Sequence, residues 1–207
     1  MSKRLSHDPL NIVVCGIGGQ GNILASELLG SSMVEGGYIV AIGETYGASQ
    51  RGGSVMSHIR ISQQTELGVL ISQGEAHVII GFEPLESLRM AREYGSGQTK
   101  VIYDPRPVYP LSVLIGEDSY PTIEQIDAEL RQLCDGVFPV AAADIAAQAG
   151  SSKAANIALM GALTALDIVP MQRKDFETAL RQRFKGELLE LNQKAYEMGY
   201  NAVVKQL

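Results

Sequence analysis

The sequence predicts an α/β fold: a three-layer α/β/α sandwich built on a Rossmann-like, mostly parallel sheet, with a helical extension at its C-terminal end. Three observations predict it. Short continuous apolar runs, the mark of strands buried on both faces, recur near residues 12–15, 76–82, 100–103 and 137–140. Stretches of helical spacing separate several of them. From Ala141 onward the strand pattern stops and the chain reads as helix to its end.

The elements follow in order. Residues 1–10 read as a flexible arm, and 11–207 as a single domain whose helical tail spans 153–207. Ile12 to Cys15 forms the first strand. The stretch from Ile23 to Met33 carries apolar residues at 24, 28, 29 and 33, near helical spacing, and Gly36-Gly37 ends it because glycine tolerates a left-handed helix terminus. Tyr38 to Ile42 is the second strand, completing a βαβ unit. Over Ser54 to Ile61 the chain is extended, with Val55, Ser57, Ile59 and Ile61 on one face and Met56, His58 and Arg60 on the other. A further strand is expected at Leu67 to Ile71, then a buried one at Ala76 to Phe82.

Pro84 opens a helix running to Tyr94, since proline is tolerated in a first turn. Lys100 to Tyr103 is a strand, stopped by the turn Asp104-Pro105-Arg106-Pro107. Thr122 caps a helix with the stripe Ile126, Leu130, Leu133. Val137 to Val140 is the last strand. In the tail, Leu159, Leu163 and Leu166 align, Phe176, Leu180 and Phe184 fall at i, i+4, i+8, and Leu188, Leu191, Ala195 and Met198 form a final stripe after Gly186.

Composition narrows the function. The net charge of −6 over 207 residues, with no cluster of Lys or Arg, argues against nucleic acid as a partner. The polar N-terminus lacks the apolar run of a signal peptide, and no stretch reaches the roughly 18 apolar residues of a membrane span, so a cytoplasmic protein without a membrane partner is expected. Two cysteines, Cys15 and Cys134, are too few to hold a zinc ion or an iron–sulfur cluster alone, and both read as core residues. No metal site and no catalytic residue is assigned.

Two glycine loops carry the chemistry. The first, Gly16-Ile17-Gly18-Gly19-Gln20-Gly21, lies between a strand and a helix, where glycine permits a tight turn and the helix start aims free N–H groups at an anion. Glu44, 23 positions after Gly21, stands near where a dinucleotide-binding fold places the acid that grips a ribose. A strand-to-helix turn that binds nothing gives the same pattern. The second loop contains Ser49, Gln50, Arg51, Gly52, Gly53 and Ser54: a forked cation, short polar donors and a paired glycine that lets backbone approach closely. That kit suits phosphates or a carboxylate, and equally a charged pair with a partner subunit. His58 has two readings, an acid–base group or a structural hydrogen bond. Asn156 and Asn192 interrupt helical patterns and read as buried hydrogen-bonding or ligand positions.

Residues 44–60, ending in Gln-Arg-Gly-Gly-Ser-Val-Met-Ser-His-Ile-Arg, together with Gly-Ile-Gly-Gly-Gln-Gly, resemble the gamma subunit or domain of the 2-oxoacid:ferredoxin oxidoreductases. The form is most like the separate small subunit of the indolepyruvate enzymes, and the resemblance runs from about residue 11 to residue 200. It implies an accessory subunit of an enzyme that oxidatively decarboxylates an aryl 2-oxoacid to an acyl-CoA and passes electrons to ferredoxin. Thiamine diphosphate and the iron–sulfur clusters would sit on a large catalytic partner, with ferredoxin reached only indirectly. Coenzyme A would be contacted by this chain, through residues of the two loops. Two other readings stay open on the residues alone: a free-standing nicotinamide dehydrogenase, and a scaffold whose loops only dock a partner.

Overall fold

The computed structural model describes residues 4–46, 53–171 and 173–207. Its six-stranded sheet has the order β2-β3-β1-β4-β5-β6, with β1 at Leu10–Ile17, β2 at Ile39–Tyr46, β3 at Ser54–Ser62, β4 at Val78–Gly81, β5 at Lys100–Tyr103 and β6 at Gly136–Pro139. Strands β1, β4, β5 and β6 pair in parallel, while β3 runs antiparallel between β1 and β2. The expected βαβ unit is therefore present, since β1 and β2 both oppose β3 and run the same way, but a third strand separates its two halves.

Helix α1 (Asn22–Glu35) follows β1, α2 (Pro84–Tyr94) follows β4, and α3 (Leu111–Leu114) and α4 (Ile123–Leu133) lie between β5 and β6. Helices α5 (Ala142–Ala149), α6 (Ala155–Ala165), α7 (Arg173–Arg183) and α8 (Gly186–Val204) complete the chain, with a 3-10 turn at Ser152–Ala154. Local chemistry fixes the ends. Pro84 begins α2 with the Glu83 side chain accepting from the Glu86 N–H, and Thr122 and Gln125 form a reciprocal capping box on α4.

The alternation of side chains along the strands divides the interior into two cores. Leu10, Ile12 and Val14 of β1, with Ile59 and Ile61 of β3, face α1 and the tail helices. Val13, Cys15, Ile79 and Val101 face α2 and α4. Burial of the two thiols in that second core pushes Cys15 up and Cys134 to about 11, far from a reactive thiolate. Over its described part the arm lies against the sheet: Leu5 is buried, and Asp8 accepts from the Ser62 hydroxyl at 2.6 Å.

The strand expected at 67–71 does not form. That segment crosses the face of β2 and β3 rather than flanking an edge, so no neighbouring strand is available to it. Side chains take the place of a ladder. Arg60 donates to the Gly68 and Leu70 carbonyls (3.0 and 3.2 Å), and His58 Nδ1 accepts from the Ile71 N–H at 3.0 Å. Gly43 leaves room for Val69 against β2. His58 thus has the structural of its two readings. His77 does similar work at the foot of β1, where its Nδ1 accepts from the Asn11 N–H at 2.9 Å.

The tail is organised by α6 crossing α8. Gly161 and Gly199 sit at the crossing, where a methyl group on either would overlap the carbonyl of Tyr196 or Ala158 on the other helix. Phe176 of α7 stacks on Tyr196, with ring centroids 4.8 Å apart.

Two predictions follow from these contacts. Gly199→Ala gains about 1 kcal/mol of helix propensity, yet forces two backbones apart at a cost of ~2–3 kcal/mol or more. A net loss of stability results, and Tm falls by several degrees at roughly 2–4 °C per kcal/mol for a chain this size; an unchanged melt would mean the helices do not cross this closely. Burial, followed by the nearby His7, lowers His77 to about 4. The unfolded chain therefore takes up that proton first, so the contribution of His77 is complete above about pH 6.5 and drains away as pH falls towards 4. His77→Asn, which keeps an acceptor but does not titrate, should show a smaller drop in Tm between pH 7 and pH 4.5 than the parent chain.

Candidate functional site: a cleft at the carboxyl rim

The parallel strands all end on one side of the molecule. Chain direction changes there: α1 leaves β1 for one face of the sheet and α2 leaves β4 for the other. Such a switch point opens a crevice in α/β sheets. The first glycine loop lies at it. Gly19 and Gly21 adopt φ of +103° and +89°, a backbone that only glycine takes easily, and Gly21 serves as N-cap of α1.

Gln20 closes the crevice floor. Its Oε1 accepts from the Ile17 N–H at 2.6 Å and its Nε2 donates to the Phe82 carbonyl at 2.9 Å, so one side chain ties the end of β1 to the end of β4. Gly16 is buried beneath it, where a side chain would strike Gln20, Phe82 and Asn22. Gly18 donates its N–H to the Gly53 carbonyl at 2.9 Å, which fastens the first loop to the start of β3. The first glycine loop and Gly53, at the start of β3, therefore meet at the same rim. Ser54 is committed locally, its hydroxyl donating to Glu86 at 2.6 Å. Ser49, Gln50, Arg51 and Gly52 lie outside the described residues.

Glu44 is not where a nicotinamide fold needs it. With β3 between β1 and β2, two strand spacings, roughly 10 Å, separate β2 from the first glycine loop's own strand. The acid expected to reach a ribose on the loop thus stands one strand too far away, and the dehydrogenase reading loses the residue that motivated it.

Above Gln20 the rim opens into a cleft of about 720 Å³, lined by Gly19, Gln20 and Gly21, by Asp104, Arg106, Pro107 and Val108 after β5, and by Ser152, Lys153 and Asn156 at the start of the tail. Two features give it a positive character. Helix α1 begins with no side-chain cap and no acidic residue in its first turn, leaving its leading N–H groups and dipole for an anion. Arg106 and Lys153 both line the cleft, and neither forms an ion pair among the described residues. Asn156, buried at the first turn of α6, stands against Gly21, its Nδ2 3.5 Å from the Gly21 carbonyl.

Buried carboxylates support this rim without facing the cleft as free charges. Asp104 accepts from the backbone N–H of Arg106 (3.1 Å) and Ala143 (2.8 Å), which fixes the segment after β5 to the start of α5. Desolvation still raises its pKa. Asp104-Pro105-Arg106-Pro107, a plain turn in the sequence, is thus one wall of the site. The signal was its place directly after a buried strand, where α/β folds bind ligands. Lys153 carried no signal at all.

Residues 11–202 match the pyruvate ferredoxin/flavodoxin oxidoreductase family. The chain belongs to that family. Among its members, a relative from Archaeoglobus fulgidus named indolepyruvate oxidoreductase subunit IorB is 40% identical over 94% of this chain and 96% of its own. The family fold is also seen in a keto/oxoacid ferredoxin oxidoreductase gamma subunit from Geobacter sulfurreducens, with a TM-score of 0.68 and 22% identity over 95% of this chain and 99% of that one. A 2-oxoglutarate:ferredoxin oxidoreductase from Magnetococcus marinus, solved with 2-oxoglutarate, coenzyme A and succinyl-CoA bound, gives a TM-score of 0.75 and 22% identity over 98% of this chain and 32% of its own. Family membership thus agrees with the resemblance carried by the two loops. No helix among the described residues is long and apolar enough to cross a membrane.

The Gln20 tie is testable by itself. Gln20→Ala leaves the Ile17 N–H and the Phe82 carbonyl without their partner, each costing about 1–3 kcal/mol where water cannot replace it. Thermal melts should show a Tm lower by roughly 4–24 °C; a variant as stable as the parent would show that the tie contributes nothing.

Proposed function

We propose that this chain is the small accessory subunit of an indolepyruvate ferredoxin oxidoreductase, and that its carboxyl-rim cleft receives the phosphates of coenzyme A. The enzyme oxidatively decarboxylates an aryl 2-oxoacid to an acyl-CoA and passes electrons to ferredoxin. A large catalytic subunit holds the thiamine diphosphate and the iron–sulfur clusters; neither Cys15 nor Cys134 is placed to serve a cluster from this side, both being enclosed in the core behind the sheet. The observation that carries the cleft assignment is the gathering of Arg106, Lys153 and an uncapped helix start around one cleft in a chain of net charge −6. Against that background, cations that form no ion pair among the described residues and face one space favour a polyanion.

The residues divide the work. Arg106 can fork two bonds to one phosphate, and Lys153 adds a point charge. The first-turn N–H groups of α1 supply directed donors. Asn156 and Gln20 keep the glycine loop in place rather than bind. Coenzyme A, when bound, supplies the thiol that accepts the acyl group; this chain holds and orients its phosphate end and helps exclude water. In this reading the second glycine loop serves the same coenzyme, with Arg51 as a ligand of the cofactor or of the partner.

The experiment is a reconstitution with the large subunit, assayed anaerobically with indolepyruvate, coenzyme A and a ferredoxin or dye acceptor. Arg106→Ala with Lys153→Ala should raise the KM for coenzyme A at least ~10-fold, about 1.4 kcal/mol over two exposed charge contacts, with the KM for indolepyruvate unchanged. An unchanged KM for coenzyme A rejects the cleft; normal turnover by the large subunit without this chain rejects the accessory role.

A further inference from the structure

The segment after the cleft wall leaves the body of the molecule and returns to it. From Pro107 to Gly116 it carries no charged residue, while charged residues make up 19% of the whole chain. Its apolar side chains point outward: Leu111 is 71% exposed, Leu114 67% and Ile115 58%. They form no part of either large core. A contiguous exposed apolar patch of this kind marks an interaction surface, and the absence of charge at its centre is what the middle of a protein interface shows.

The patch is also held in shape. Glu83, only 1% exposed, gathers both ends of the excursion: its Oε1 accepts from the Val108 N–H at 3.3 Å and from the Tyr120 hydroxyl. Tyr120 in turn accepts from the Leu85 N–H at 3.2 Å and meets Tyr109 edge to face at 5.2 Å. Burying a carboxylate costs several kcal/mol. Here it anchors a segment whose tip touches little, so the tip is presented in one shape before anything binds. A binding element presented this way loses less entropy on docking.

We propose that this excursion is the docking element by which the chain binds the large catalytic subunit. The occupant follows from continuity and from kinship. Val108 lines the coenzyme cleft and also begins the apolar patch, so whatever covers the patch borders the cleft. Relatives up to 40% identical are named as subunits of an oxidoreductase, and this chain spans nearly their whole length. A subunit needs a companion, and chemistry at the cleft requires that companion beside it. The proposal rests on the accessory-subunit reading above.

The test pairs substitution with a measurement on the unaltered complex. In co-expression and titration with the large subunit, Leu111→Asp with Leu114→Asp should bind at least ~30-fold more weakly than the parent, as loss of a hot spot does. Leu188→Asp, at a similarly exposed leucine on α8, should bind as the parent does. Hydrogen–deuterium exchange on the parent complex should show protection confined to 108–120 and the cleft rim. Equal binding by the double variant, equal weakening by Leu188→Asp, or unprotected amides at 108–120 would each overturn the docking element while leaving the accessory role intact. A parent chain that is a dimer by itself, and becomes monomeric in the double variant, would assign the patch to a second copy and overturn it too. Failure of the parent chain to bind the large subunit would instead sink the accessory reading and the docking element with it.

Discussion

The return of β3 between β1 and β2 is the constraint on which the rest of the molecule depends. A strand running antiparallel beside β1 must begin where β1 ends, and Ser54 accordingly faces Ile17 across the pair. The end of β2 and the start of β3 are thereby placed at the carboxyl rim, next to the turn that follows β1. The Gly18–Gly53 hydrogen bond joins that turn to the start of β3. Had β2 paired directly with β1, as in a dinucleotide-binding sheet, Glu44 would border the first loop and the second loop would have no reason to meet it. One inserted strand thus removes the ribose-binding geometry and brings the first glycine loop against Gly53 at the start of β3.

How much of this could be read from the letters depends on whether the cause is local. Pro84, the Thr122 cap and the continuous apolar runs of β1, β4 and β5 are local causes, and those elements lie where the sequence puts them. Residues 67–71, Leu-Gly-Val-Leu-Ile, look like a strand because they form a short apolar run, but their backbone is satisfied by Arg60 and His58, which no propensity describes. The short helix at Leu111–Leu114 has no periodic stripe because none of its residues is buried. In the cleft the glycines declare themselves by composition. Arg106 and Lys153 do not, since each follows a different crossover and they meet only after the sheet has assembled. Asn156 lies between these cases: an asparagine in a helical pattern was conspicuous, but its position against Gly21, 135 residues earlier, belongs to the fold.

That last contact links the tail to the loop. Asn156 stands at the start of α6, and α6 is seated by its crossing with α8 at Gly161 and Gly199. Helices that approach at backbone distance have little freedom to slide, because the interface is close-packed and offers few alternative fits. The placement of Asn156 beside Gly21, and of Lys153 at the cleft mouth, is therefore inherited from packing farther along the tail. The C-terminal helices act as the rear support of a site whose front is the glycine loop.

The acids beneath the rim show what kind of economy governs this end of the sheet. Glu83, Glu86 and Asp104 are each almost wholly buried. Hydrogen bonds to a charged acceptor contribute about 1.5–3 kcal/mol each, and Glu83 collects three, from Glu86 N–H, Val108 N–H and the Tyr120 hydroxyl. Even so its pKa lies above the ordinary value, with desolvation the largest cause. The donors offset the burial of charge without exceeding it, so Glu83 is a poor source of stability. Apolar side chains of similar volume would stabilise such a site as well or better. What an apolar side chain could not do is fix where backbone segments lie. Glu83 sets the span from Val108 to Tyr120, Asp104 sets Arg106 against the start of α5, and Glu86 holds Ser54 at the start of β3. Each carboxylate holds one segment of the rim in position, and the cleft and the apolar excursion keep their shape because all three do so at once.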